Sequence, residues 1–266
     1  MVVRRMNLWL QAAVAAVQFL TRIPVPVSID FTKETVARSV VFFPVAGALI
    51  GLIVSFAAHG LSGFLPAMPA AVIVLAVWIA LSGGLHLDGW MDAADGLLSH
   101  RSRERMLDIM KDSRVGAMGV IAGVLLLLFK VAVLYELLAD GIDAVRLVVL
   151  FTIPVWSRLA MTAAIVGWPF ARGSEGMAAL FNRAGVRHIL GAAVVSMLII
   201  LTGLLPLEVA FYDIVLHVLA TAAITALVCT GMAVWFRRKL GGLTGDTYGA
   251  INEGVEAVLL LGLIIG

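Results

Sequence analysis

The chain has 266 residues, of which 62% are hydrophobic and only 14% are charged, and its mean hydropathy is +1.05. This composition excludes an ordinary soluble domain and indicates an integral membrane protein. The formal net charge of +2 gives no reason to expect nucleic-acid binding. Cys229 is the only cysteine, which excludes an intrachain disulfide and a cysteine metal site.

Apolar runs of about 20 residues, the length that crosses a bilayer core of about 30 Å, recur along the chain. Seven spans are predicted at 40–58, 69–87, 115–138, 144–168, 189–205, 214–236 and 250–266. We therefore expect an all-α, polytopic membrane bundle of about seven transmembrane helices, forming a single transmembrane catalytic domain over 1–266. Gly47 and Gly51 in the first span have the spacing of close helix packing. Gly83 and Gly84 are expected to loosen the second span.

The N-terminal segment 1–38 is predicted to be amphipathic, with an amphipathic helix that precedes RIPVP. Asn7, Gln11, Gln18 and Arg22 are separated by 4, 7 and 4 residues, which places a polar stripe on an apolar helix. The prolines of RIPVP then end the helix. The segment is either a simple anchor at the membrane interface or a contributor to the active site.

Basic residues gather in alternate connections, at 4–38, 101–114, 172–187 and 237–239. The connections near Gly60, Gly141 and Pro206 are mainly acidic, with Arg146 as the exception. By the positive-inside rule the basic connections are cytoplasmic, and the C-terminus lies outside.

The stretch 88–114 is predicted to be the active-site segment, facing the cytoplasm. Asp88, Asp92 and Asp95 are spaced i, i+4, i+7, which places them within roughly a 60° arc of one helix face. Three carboxylates this close repel one another unless cations lie between them, and Mg²⁺ prefers such oxygen ligands. A second acidic set, with interleaved cations, comprises Glu104, Asp108 and Asp112 with Arg101, Arg103, Arg105, Lys111 and Arg114. Acids beside cations suit a diphosphate substrate, because phosphoryl transfer is catalysed mainly by positioning and charge neutralisation.

Two basic residues fall inside predicted spans. Arg158 in the fourth span is either a phosphate ligand or a side chain that snorkels toward the cytoplasm. Lys130 in the third span is expected to pair or to snorkel. The polar connection 167–188 that follows the fourth span is expected to be a loop over the site, and it holds four loose candidates for contacts there: Arg172, Arg183, Arg187 and His188.

Acidic residues recur near the last span, where Asp246, Glu253 and Glu256 are spaced i, i+7, i+10. We expect the two glutamates to line the same pocket as Asp88, and the alternative is a structural pairing with Arg158 or Lys239. His86 either orients a carboxylate or touches a phosphate, or it is structural.

Four motifs carry a resemblance to a known family. They read FLTRIPVP, GGLHLDGWMDAADGL, RERMLDIMKDSRVGAMG and GGLTGDTYGAINE. Together they resemble the cobalamin (5′-phosphate) synthase family, also called adenosylcobinamide-GDP ribazoletransferases, over nearly the whole chain. Trp90 and Met91 stand where smaller residues are expected.

The resemblance implies a Mg²⁺-dependent enzyme of the bacterial inner (cytoplasmic) membrane. It would join adenosylcobinamide-GDP to α-ribazole or its 5′-phosphate, giving adenosylcobalamin or its phosphate and GMP. Other cobalamin-assembly enzymes are possible partners, and oligomerisation is left open. The implied metal ligands are Asp88, Asp92, Asp95 and Asp108. The implied catalytic residues are Asp112, Asp246 and Asp95, and the implied substrate-binding residues are His86, Lys111, Arg114, Arg158, Glu253 and Glu256.

Two other functions remain open. The spacing of Asp92, Asp95, Gly96, Asp108 and Asp112 is similar to the D-x2-D-G…D-x3-D pattern of CDP-alcohol phosphotransferases, which are membrane enzymes of lipid synthesis. An ion-coupled transporter is the second alternative, in which Glu253, Glu256 and Arg158 would form the carrier site.

Overall fold

The computed structural model describes residues 7–139, 141–173 and 177–265. Within these ranges the regular structure is helical, apart from one isolated bridge between Phe170 and Leu243. The α-helices are α1 Leu8–Leu20, α2 Lys33–Ser39, α3 Phe43–Ser62, α4 Ala67–Ser82, α5 Leu85–Leu97, α6 Arg103–Ile109, α7 Ala117–Ala139, α8 Ala144–Gly167, α9 Val186–Leu204, α10 Phe211–Leu240 and α11 Gly245–Ile265. Short 3₁₀ turns occur at Val40–Phe42 and Met177–Phe181.

In the described part of the chain, six helical segments are long and apolar enough to cross a membrane. They are Lys33–Ser62, which joins α2 to α3, and the five helices α7 to α11. The pair α4 and α5 meets the same criterion when taken together. The prediction of an all-helical polytopic bundle with about seven spans is therefore confirmed.

A sharp bend separates α4 from α5, and the two helices make an angle of 89°. Gly83 and Gly84 have φ values of 64° and 73°, in the left-handed region that glycine adopts without steric cost. The side chain of Arg22 lies against Gly83, so that a β-carbon there would overlap it. The predicted loosening of this span is confirmed, but the second span ends at Ser82 instead of residue 87. The acidic residues consequently lie on a separate helix.

The helix α8 is buried along most of its length and packs against α3, α9, α10 and α11. Its backbone approaches α3 closely. A β-carbon at Gly47 would lie 2.2 Å from the Pro154 carbonyl oxygen, and one at Gly51 would lie 2.1 Å from that of Phe151. The predicted packing role of these two glycines is confirmed.

Close contacts with α7 and α11 fix the position of α5. A β-carbon at Gly89 would lie 2.7 Å from the Asp246 carbonyl oxygen, and one at Gly249 would lie 3.1 Å from that of His86. The indole nitrogen of Trp90 donates to the Ala122 carbonyl of α7 at 3.0 Å. The acids of α5 are thereby brought to the beginning of α11.

The basic connections meet at one end of the bundle. Arg103 Nε donates to the Leu240 carbonyl at 2.6 Å, and its Nη2 donates to the Ala171 carbonyl at 2.8 Å. Arg183 lies 3.7 Å from Glu34, which joins the 172–187 connection to the beginning of α2. These contacts agree with the alternation of charge along the sequence. Arg4, Arg5 and Asp140, which belong to the charge pattern, lie outside the described residues.

Candidate active site

The three acids of α5 lie in different environments. Asp88 is exposed, Asp92 is half-buried and Asp95 is buried. The negative charges of Asp88, Asp246 and Asp95 all act on Asp92, and Arg172 offsets part of this repulsion. A concentration of negative charge at the junction of α5 and α11 favours the binding of a cation.

A cavity of about 70 Å³ lies at this junction. Its polar wall includes His86, Asp88, Asp246 and Tyr248. Aromatic residues, among them Phe19 of α1, also line it. The volume admits a group of only a few heavy atoms. Because Phe19 reaches the cavity, α1 contributes to the candidate site instead of serving only as an anchor.

The beginning of α11 holds Asp246 in place. Thr244 Oγ1 donates to Asp246 Oδ2 at 3.2 Å and accepts the backbone N–H of Thr247 at 3.3 Å. Arg172 Nη2 lies 3.9 Å from the same carboxylate oxygen. The partial positive charge of the helix N-terminus also favours an anionic side chain at this position. Asp246 is therefore oriented at the cavity by contacts from its own turn and from the 168–173 loop.

The metal site predicted from sequence is not preformed. Within the described residues, no group of three His, Cys, Asp or Glu side chains could hold a metal ion. Mg²⁺ usually binds through one or two carboxylates together with substrate phosphates and waters, and seldom needs an all-protein cage. Asp88, which lines the cavity, and Asp92, one helical turn further along α5, supply such a pair. The donor set fits a Mg²⁺ ion whose coordination the substrate completes.

Asp95 does not have the position expected of a free metal ligand or catalytic carboxylate. Its Oδ2 accepts the backbone N–H of Gly116 at 2.6 Å, and its Oδ1 accepts that of Gly119 at 2.7 Å. Asp95 thereby caps the N-terminus of α7 from the neighbouring helix, where four N–H groups lack partners within the helix. These bonds hold α5 on α7, and a metal-ligand or catalytic role for Asp95 stays a prediction.

Asp108, Lys111, Asp112 and Arg114 are exposed and do not line the cavity. Asp112 accepts hydrogen bonds from the backbone N–H, Nε and Nη2 of Arg114 at 2.8 to 3.0 Å. These bonds lower the pKa of Asp112 to about 2. A carboxylate this acidic is a weak proton acceptor, which disfavours Asp112 as the general base. Contacts of these residues with substrate above the cavity stay a prediction.

The expectation that Glu253 and Glu256 line the Asp88 pocket is wrong. Both are buried partners of Lys130, whose Nζ donates to Glu253 at 2.5 Å and to Glu256 at 2.9 Å. Glu256 also pairs with Arg158, which is 1% exposed. The four charges form an ion-pair cluster between α7, α8 and α11. The alternative of a structural pairing with Arg158 is confirmed, as is the pairing of Lys130, whereas Lys239 is exposed.

His86 connects this ion-pair cluster with the cavity. It is 2% exposed, its Nδ1 lies 3.4 Å from Arg158 Nη2, and it lines the cavity wall. Tyr248, which the sequence reasoning missed, lines the same wall. The available signal was its position two residues after Asp246, within a motif rich in glycine and threonine.

Comparisons with known proteins cover nearly the whole chain. A family model described as cobalamin-5-phosphate synthase matches residues 12–264. A protein named adenosylcobinamide-GDP ribazoletransferase from Brevibacillus brevis is 40% identical over 261 residues, covering 96% of this chain and 98% of its own length. Proteins with the same name from Acetivibrio thermocellus and Desulforamulus reducens are 36% and 37% identical, covering 92% and 94% of this chain and 94% and 95% of their own. No solved structure gives a significant match.

Proposed function

Because the chain belongs to the cobalamin-5-phosphate synthase family, we propose that it is an adenosylcobinamide-GDP ribazoletransferase. It joins adenosylcobinamide-GDP to α-ribazole or its 5′-phosphate and releases GMP. The observation that carries this proposal is the match of 96% of the chain to a relative with that name, at 40% identity. The acidic cavity between α5 and α11 supports it, because its charge suits a metal-bound diphosphate.

In this reaction a ribose hydroxyl of α-ribazole attacks the phosphorus attached to cobinamide. The new P–O bond forms as the bond to the GMP oxygen breaks, and the hydroxyl proton passes to a carboxylate. Asp246 is the acceptor that the geometry favours, since it lines the cavity and is oriented by Thr244. Arg172, near Asp246, is placed to offset part of the negative charge of the diphosphate.

Asp88 and Asp92 would hold Mg²⁺ on the diphosphate. When bound, the ion supplies charge neutralisation on the phosphoryl oxygens and on the leaving group. The cavity is far too small for a corrin ring or a guanosine, so these parts of the substrate lie outside it. The exposed connection with Asp108, Lys111 and Arg114 is the surface available to them.

The site faces the cytoplasm of a bacterial inner membrane in this proposal. The basic connections lie at the same end of the bundle as the cavity, and basic connections are retained on the cytoplasmic side. Adenosylcobinamide-GDP and GMP are charged nucleotides, so a cytoplasmic mouth suits both. Association with other cobalamin-assembly enzymes, and oligomerisation, remain parts of the proposal that need their own binding tests.

The structure favours neither alternative function. Asp95, which the CDP-alcohol phosphotransferase pattern would use as a ligand, accepts two backbone N–H groups of the Gly116–Gly119 turn. A carrier site would need accessible charges in the membrane, whereas Glu253 and Glu256 are buried and paired with Lys130.

The test is GMP release from adenosylcobinamide-GDP and α-ribazole phosphate by the purified protein in lipid, with and without Mg²⁺. We expect Mg²⁺-dependent release that the substitution Asp92→Asn largely abolishes. Asp213→Asn, at the exposed beginning of α10, is the matched control and should leave the rate unchanged. No release by well-folded wild-type protein would contradict the proposed function.

A further inference from the structure

Within the part of the chain that the structure describes, two polar atoms of cavity-lining residues are buried without a hydrogen-bond partner. They are His86 Nε2 and the hydroxyl oxygen of Tyr248, and the two side chains are 2% and 3% exposed. Buried polar groups are nearly always hydrogen-bonded, so a pair of unpartnered ones around a single cavity indicates a ligand. Both residues line the cavity that also contains Asp88 and Asp246.

The contact with Arg158 determines which ring nitrogen of His86 carries the hydrogen. Its Nη2 lies 3.4 Å from His86 Nδ1. A guanidinium donates hydrogen bonds and cannot accept them, so Nδ1 must be the acceptor and the ring hydrogen must be on Nε2. His86 is thereby held in one tautomer, with its N–H group on the unpartnered nitrogen.

The ion-pair cluster keeps Arg158 in place. Glu256 Oε1 accepts hydrogen bonds from Arg158, Ser157 and Asn252, and its Oε2 accepts one from Lys130. Arg158 Nη1 also donates to Ser157 at 2.9 Å. With Nη1 fixed in this way, the planar guanidinium presents Nη2 to His86. Glu256 and Arg158, which were predicted from the sequence to bind substrate, therefore influence the cavity through the orientation of His86.

The polar groups of the cavity lining limit what can bind there. Asp88 and Asp246, when ionised, accept hydrogen bonds or bind cations, whereas His86 Nε2 and the Tyr248 hydroxyl offer hydrogens. A ligand in the cavity must therefore present a cation to the two carboxylates and acceptor oxygens to the two donors. A Mg²⁺-bound phosphoryl group meets both requirements and fits the small volume.

We propose that His86 Nε2–H and the Tyr248 hydroxyl donate hydrogen bonds to phosphoryl oxygens of the diphosphate, and that Arg158 positions His86 for this contact. The proposal rests on the proposed function and names two substrate-binding groups within it. His86 acts as a neutral donor and transfers no proton.

Replacing His86 by Gln or by Asn tests whether His86 serves as a hydrogen-bond donor or as a group that transfers a proton. The amide nitrogen of Gln reaches about as far as Nε2, whereas that of Asn reaches only the Nδ1 position. We expect His86→Gln to retain most of the rate of GMP release. His86→Asn and His86→Ala should lose on the order of a hundredfold, the usual cost of removing one transition-state donor. If Gln is as inactive as Ala, the donor role is refuted.

Tyr248→Phe removes only the hydroxyl group and keeps the aromatic packing. We expect the rate to fall on the order of tenfold to a hundredfold. Tyr212→Phe, at the exposed beginning of α10, is the control and should not change it. An unchanged rate in Tyr248→Phe would overturn the role of Tyr248, even if the His86 variants fail to fold.

The positioning role of Arg158 is tested by combining Arg158→Lys with His86→Ala. If Arg158 acts through His86, its substitution should lower the rate in the wild-type background and cost little more once His86 is absent. Equal losses in the two backgrounds would show that Arg158 serves stability alone.

Binding of GDP in the presence of Mg²⁺, measured by titration calorimetry, gives a readout that is independent of catalysis. We expect His86→Ala and Tyr248→Phe to weaken this binding, and His86→Gln to weaken it least. If GDP binds in this pattern but wild-type protein releases no GMP from the corrinoid substrate, the proposed function fails and the donor assignment stands. If GMP is released and all variants bind and react like wild type, the donor assignment fails alone.

Discussion

Replacing Gly89 by alanine tests whether the contact between α5 and α11 builds the active site. The added β-carbon would lie 2.7 Å from the carbonyl oxygen of Asp246, where an ordinary contact needs at least 3.4 Å. The obstacle is backbone, so α5 must move away from α11 by about 0.7 Å. This movement separates Asp88 from Asp246, which line the cavity from the two helices.

A displacement of this size should lower the rate of GMP release roughly tenfold to a hundredfold, since a 1 Å misplacement of reacting groups can cost about a hundredfold. Overpacking should also lower the free energy of unfolding by about 1–3 kcal/mol. The assay is the GMP-release rate at saturating substrate, beside thermal unfolding in the same detergent.

Gly231→Ala in α10 is the matched control, because a β-carbon there meets no atom of the described residues within 4 Å. Alanine is the better helix former by about 1 kcal/mol, so this variant should be at least as stable as wild type and equally active. A Gly89→Ala protein with the wild-type rate would refute the argument that helix spacing at Gly89 sets the geometry of the site.

Three further substitutions test individual contacts. Asp95→Asn removes an acceptor for one of two backbone N–H groups on α7, and should lower the free energy of unfolding by about 1–3 kcal/mol; a change in Mg²⁺ dependence without a change in thermal unfolding would instead support a metal-ligand role. Lys130→Met leaves two buried glutamates with one cation and should cost about 3–5 kcal/mol in unfolding experiments, whereas Lys239→Met, at an exposed position, should cost little. Asp112→Asn should leave the pH dependence of the rate unchanged between about pH 5 and pH 9, because a carboxylate with a pKa of about 2 stays ionised throughout that range; loss of the acidic limb of the profile would restore Asp112 as the general base.

Several features of the fold could be predicted from local sequence. Among the described residues, hydropathy located the six helical segments and the one bent pair that are long and apolar enough to cross a membrane, since each run of about 20 apolar residues matches the thickness of the bilayer core. The spacing of Gly47 and Gly51 predicted a close helix contact, because only small residues permit such an approach. The direction of the chain at Gly83 and Gly84 was predicted less well. Glycine pairs signal flexibility, but the angle depends on what packs around them, here the side chain of Arg22.

The roles of the acids could not be assigned from their spacing. Asp88, Asp92 and Asp95 share one helix face, yet Asp95 is taken by the backbone of α7 and the other two are not. The spacing of Glu253 and Glu256 from Asp246 is compatible with a helix face that lines a cavity. In the structure, however, Lys130 and Arg158 from two other helices pair with these glutamates. The role of a carboxylate depends on partners from distant parts of the chain, and helical periodicity gives no information about those partners.

The sequence by itself determined that this protein is a polytopic membrane protein and, through its motifs, the family to which it belongs. Hydropathy, charge and sequence motifs are properties of short segments, so they can be recognised without knowledge of the fold. The tertiary structure decided that Asp88, Asp246, His86 and Tyr248 share a cavity. That outcome depends on the 89° turn before α5 and on the close contact at Gly89, both of which arise only when separate helices pack together.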